Sequence, residues 1–111
     1  MVNKGLTQGR GTDVTKELRQ SSTGGEPPAG LSPAELGAWW AVRGDWQAAH
    51  RAVQAAPESD AAAAWVHAYL HRQEGDLDNA RYWYGLAGRP PGQGSLAAEL
   101  DEIVGALAAA G

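Results

Sequence analysis

Two glycine–aspartate steps, Gly44-Asp45 and Gly75-Asp76, stand 31 residues apart and limit what this chain can fold into. Ala61 to Glu74, before the second step, contains no glycine or proline and opens on an alanine run, the residue of highest helix propensity. Its larger apolar residues Trp65, Val66, Tyr69 and Leu70 recur at helical spacing. Ser59 or Asp60 can cap its start. Gly75 ends it, since glycine takes the left-handed conformation past a helix end at little cost. Asp76 or Asp78 then caps a second helix, in which Ala80, Trp83, Tyr84 and Ala87 repeat at three and four residues until Gly88 and Pro90-Pro91 stop it. Two helices joined by so short a turn must pack antiparallel.

The same grammar occurs once before. Ser32-Pro33-Ala34-Glu35 is a helix start with a cap, a proline at the first helical position and a capping-box glutamate. The predicted helix runs to about Arg43 with Leu36, Trp39 and Trp40, and a return helix runs from Trp46 to Ala56, ended by Pro57. Ala49 answers Ala80, Val53 answers Tyr84, Ala56 answers Ala87, and Gly37 sits where Ala68 does. After a linker at residues 92–95, Leu96 to Ala110 places Leu96, Leu100, Ile103, Val104 and Leu107 on one stripe, with Glu99, Asp101 and Glu102 expected opposite.

Ala68, Gly75, Ala80, Tyr84 and Ala87, followed by Pro90-Pro91, match in order and spacing a pattern that resembles the tetratricopeptide repeat. The run HAYLHRQEGDLDNARYWY is also similar to small bacterial proteins of that type. The resemblance implies an all-α fold: two antiparallel hairpins and a C-terminal helix capping the open end of the stack. It also implies that Trp65, Tyr69 and Arg72 line a concave groove, which in that family holds extended peptides or partner helices. His67 and His71 would face the neighbouring helix. The chain departs from the family in its turn spacing, against about 34 residues there, and in Pro57 following Ala56 directly.

Residues 1–30 differ in composition. They hold few large apolar residues, carry every lysine and have a net charge of +1, against −5 for residues 31–111. Such a segment buries too little surface to offset its ordering entropy, so it is expected to be a disordered tail ahead of one helical domain at 31–111. Val14 and Leu18, four apart, allow a short helix on a partner. With 22 alanines and no phenylalanine, the core must draw its bulk from five tryptophans and three tyrosines. Two repeats and one further helix lie at the lower edge of independent stability, which points to pairing with a second copy or with a partner.

The absence of cysteine excludes disulfides and thiolate chemistry. The net charge of −4 argues against nucleic acid, and no apolar run reaches membrane-spanning length, so a cytoplasmic protein is the plain expectation. No glycine-rich phosphate loop and no nucleophile–base arrangement can be assembled, and every serine lies in a tail or cap segment. A non-enzymatic module without a cofactor is therefore expected, binding a protein or peptide through Trp65, Tyr69 and Arg72. Aromatic and arginine side chains are the usual anchors of an interface. Trp65 and Tyr69 also suit a plain core role. A second reading is a metal-dependent protein: His67 and His71 stand four apart on one helix with Glu74 a turn further on, although no HExxH pattern is present. Rings bonded within the core are the structural alternative. A third makes the 1–30 tail the functional segment of a substrate or adaptor. Glu58, Asp60, Asp76 and Asp78 sit at helix starts, where capping explains them.

Overall fold

The computed structural model describes residues 26–110, so most of the predicted tail, including Val14 and Leu18, lies outside the described residues. Five α-helices follow in order: α1 (Pro33–Val42), α2 (Trp46–Gln54), α3 (Ala61–Glu74), α4 (Leu77–Ala87) and α5 (Leu96–Ala110). Their starts are written into single residues. Ser32 and Glu35 form the complete capping box of α1, with Pro33 at its first position. The carboxylates of Asp45, Asp60 and Asp76 accept from the backbone N–H three residues on, satisfying one orphan donor each in α2, α3 and α4. Ser95 does the same for Ala98 in α5. Gly44 and Gly75 take φ of +83° and +89°, the left-handed geometry that turns each hairpin and that other residues adopt only with strain. α2 ends at Gln54 rather than Ala56, because a residue preceding proline is pushed out of the helical region.

α1 packs on α2 and α3 on α4, giving two hairpins. α3 is the hub: it touches all four other helices, and nine consecutive residues, Ala63 to His71, are buried. The burial extends beyond the arc that holds Trp65, Val66, Tyr69 and Leu70 to Ala63, Ala64, His67, Ala68 and His71. α3 is covered all round, which is why its apolar pattern is broad rather than a stripe. Small residues allow the helices a close approach: Ala49 and Ala68 are fully buried and Ala80 nearly so. A methyl group at Gly37 would come within 2.6 Å of Val53 Cγ1 and 3.2 Å of Val66 Cγ1. Trp39, Tyr84, Leu70, Ile103, Val66 and Val104 are the largest fully buried side chains.

α5 does not extend the stack. Among the described residues its backbone lies against α1 and α3, the first helices of both hairpins, while α4 reaches it through the Tyr84 hydroxyl on Glu99. Ile103, Val104 and Leu107 point inward as the stripe predicts, with Leu96 and Leu100 half-buried. Glu99 is the correction. It is 5% exposed rather than on the outer face, because it lies four residues from Ile103 and three from Leu96, inside the stripe. No described helix is long and apolar enough to cross a membrane.

Candidate functional site

Two groups of polar side chains are held inside the molecule, one on each side of α3. The first forms around Glu99. Trp65 Nε1 donates to Oε2 at 3.1 Å, Arg72 Nη1 donates to Oε1 at 2.8 Å, and the Tyr84 hydroxyl donates into the carboxylate, 2.7 Å from Oε2 and 2.9 Å from Oε1. Arg72 Nη2 also donates to the Gly94 carbonyl. A buried carboxylate is stable only when its lone pairs are satisfied, and here three side chains from α3 and α4 do so. Gly92 closes the group: a methyl there would stand 2.6 Å from both Glu99 Oε1 and the Tyr84 hydroxyl. Burial, then the hydrogen bond and charge of Glu99, push the Tyr84 phenol well above its ordinary pKa. Burial also raises Tyr69, with Glu99 adding to the effect and Arg72 opposing it.

The sequence expectation put Trp65, Tyr69 and Arg72 on an open groove. Trp65 and Tyr69 are 6% and 4% exposed, under α5, and the Arg72 guanidinium is paired with Glu99 instead of Glu74, Asp76 or solvent. Arg89 stacks over Trp65 with its guanidinium carbon 3.4 Å from the ring centroid, beside a cleft of about 370 Å³ lined by Pro90, Pro91, Gln93 and Glu102.

The second group lies between α2, α3 and α4. His67 Nε2 is 3.1 Å from His50 Nε2, and the ring centroids of His50, His67 and His71 are 4.8 to 5.2 Å apart. Trp83 stacks on His67 at 3.8 Å and Trp46 on His50 at 4.6 Å, while Trp46 Nε1 donates to the Leu70 carbonyl at 2.8 Å. Glu74 Oε2 lies 2.7 Å from His71 Nδ1. His67 and His71 are almost fully buried and His50 half-buried. Burial, then the neighbouring His50 and His71, lower the His67 pKa to about 4. Burial and His71 lower that of His50, with Glu74 opposing.

His67 and His71 thus face a neighbouring helix, and the third imidazole beside them is His50, with Glu74 behind His71. His50 was missed because it is 17 residues from His67 and belongs to the other hairpin. The available signal was its place one turn after Trp46 on the face that Ala49 and Val53 bury. Asp60 and Asp76 act as caps, and Asp78 pairs with Arg81 in the first turn of α4.

No protein-family model, curated protein or solved structure matches this chain. Over its described residues the chain is all-helical, with five helices.

Proposed function

We propose that the protein is a non-enzymatic interaction module of tetratricopeptide-like type, whose first-helix face receives an amphipathic partner helix carrying a carboxylate. In the free chain α5 occupies that face. The observation that supports this reading is the seating of Glu99: an apolar stripe from a helix covers α1 and α3 while its carboxylate is held by Trp65, Arg72 and Tyr84. This is helix-in-groove chemistry, with aromatic anchors and an arginine–carboxylate pair, carried out within one chain. α5 is joined through the mostly exposed segment 88–95 and packs on α1 and α3, with Tyr84 of α4 hydrogen-bonded to Glu99, so its release would break that bond while the packing of α1 on α2 and of α3 on α4 stays in place. The acidic net charge favours a protein partner over nucleic acid, and a cytoplasmic setting goes with the reading.

A fluorescent peptide of residues 95–111, added to the full chain, tests it. Weak binding to the wild type is expected, tighter binding to Glu99→Ala, whose own helix has lost its anchor, and none to Arg72→Ala, with helicity checked in each. If the peptide binds neither the wild type nor Glu99→Ala, the face is sealed and the reading fails. A concentration-dependent dimer of Glu99→Ala would make a second copy the occupant. Pull-down with Glu99→Ala against Tyr69→Ala/Arg72→Ala then names the partner.

A further inference from the structure

We propose that His50, His67 and His71 form a binding site for a divalent transition-metal ion of the zinc class, with Glu74 orienting His71. The site is separate from the helix-binding face and does not depend on it.

Three features of the geometry point to an ion. The first is convergence. One ring nitrogen from each of the three histidines lies within 4.8 Å of the other two, and two of these residues are nine-tenths buried or more. Ligand nitrogens on a tetrahedral zinc, each about 2.0–2.1 Å from the metal, stand about 3.3 Å from one another. The His50–His67 edge, at 3.1 Å, is already near that spacing. The third ring closes on an ion by at most about 1.5 Å, within the reach of small side-chain rotations.

The second feature is the carboxylate behind His71. Its Nδ1 is engaged by Glu74 at 2.7 Å, which leaves Nε2 as the ligand nitrogen. Metal-bound histidines regularly donate their other ring N–H to a carboxylate, which fixes the tautomer and raises the basicity of the ligand.

The third is the rigidity of the mounting. His67 and His71 share a face of α3 four residues apart, and His50 projects from α2. Trp83 and Trp46 lie flat against His67 and His50, at interplanar angles of 13° and 14°. These indoles lock the ring orientations and supply the apolar shell that limits water around a metal. Half-buried His50 gives the ion a way in. Three imidazoles suit zinc, copper or nickel, whereas magnesium and calcium take oxygen ligands. A three-histidine set leaves the remaining coordination position to water or to a further ligand.

The test uses the full chain purified without a histidine tag and stripped with chelator. Zinc is titrated by calorimetry, and cobalt(II) replaces it for visible spectroscopy. The expected result is one ion per chain and the intense cobalt bands of a tetrahedral site. His50→Ala and His71→Ala should each weaken zinc binding by about 100-fold or more, and Glu74→Gln by about 10- to 100-fold, with helicity unchanged. No saturable binding by the folded wild type overturns the proposal. So does wild-type affinity in His50→Ala, which would move the ion to His71, Glu74 and Asp76, whose ligand atoms also lie within 4.8 Å of one another.

Discussion

The two hairpins share a skeleton and differ in what they carry on it. At the 31-residue offset, Ala34, Ala38 and Ala41 of α1 stand where α3 has Trp65, Tyr69 and Arg72. α5 packs on both helices, and Trp65 and Arg72 of α3 hold it through hydrogen bonds to Glu99. Ala34, Ala38 and Ala41 are buried, and their methyl groups offer no hydrogen bond. A second substitution runs along the opposite face. Leu36 and Trp40 of α1 correspond to His67 and His71 of α3. The histidines meet α2, whereas Leu36 and Trp40 border an open groove of about 420 Å³ with Leu31, Pro33 and Ala55. One repeat geometry thus carries apolar residues at these positions of α1 and polar groups at the matching positions of α3. A repeat fixes backbone positions and leaves side-chain chemistry free to diverge.

Removing the grip should have the largest effect. Arg72→Ala strips the charged partner from a carboxylate that is 5% exposed, and breaking such a pair is expected to lower the unfolding free energy by about 3 kcal/mol in urea melts. Trp65 and Tyr84 still donate to Glu99, so a loss below about 1 kcal/mol would mean that those hydrogen bonds alone satisfy it, and the contrast with Ala41 would lose its force.

Gly37→Ala sharpens the contrast within the shared skeleton. Alanine is the better helix former by about 1 kcal/mol, so an open site would be stabilised. The new methyl meets Val53 Cγ1 at 2.6 Å, and the β-branched, buried valine has little freedom to turn away. A net loss of about 1–2 kcal/mol is expected, and a gain would show that α1 and α2 can part enough to seat the methyl.

The histidine face should respond to pH where its counterpart in the first hairpin cannot. The folded-state pKa of His67 is about 4, below the value near 6.5 of an unfolded histidine. As pH falls from about 6.5 towards 4, the unfolded chain takes up the proton that the folded chain refuses. Metal-free protein should therefore lose stability over that window, and His67→Leu, which installs the residue type of the first hairpin, should flatten the change. An unaltered slope in thermal melts from pH 7 to 4 would assign the response to other groups.

The smallest effect belongs to the far end of the stack. Leu77 answers Trp46, yet it is 56% exposed, whereas Trp46 stacks on His50 and donates to Leu70. Leu77→Ala should change stability by no more than about 0.5 kcal/mol. A larger loss would mean that this end is covered in solution, as self-association would do, and sedimentation of the wild type would show it.

Much of the fold was legible because helix boundaries are local chemistry. A capping side chain acts on an N–H three residues away, and a glycine turns the chain where it stands, so Ser32, Gly44 and Gly75 could be read directly and Asp60 and Asp76 as one of two candidate caps each. The 31-residue echo followed from the same marks, and the inward stripe of Ile103, Val104 and Leu107 from helical periodicity. The charge of Glu99 points to the outer face, whereas its spacing from Leu96 and Ile103 puts it in the stripe. His67 and His71 were visible as a pair, since four residues make one helical turn.

What the sequence could not decide was which helices meet. α5 is amphipathic wherever it docks, and only packing shows that it crosses α1 and α3 instead of following α4. That one choice buries Trp65 and Tyr69 and gives Arg72 a carboxylate 27 residues away. Likewise, only the stacking of α2 on α3 brings His50 to His67. Local rules of capping and periodicity act within a few residues and can be read along the chain. The placement of a helix is set by burial shared among residues far apart in sequence, and no single stretch contains it.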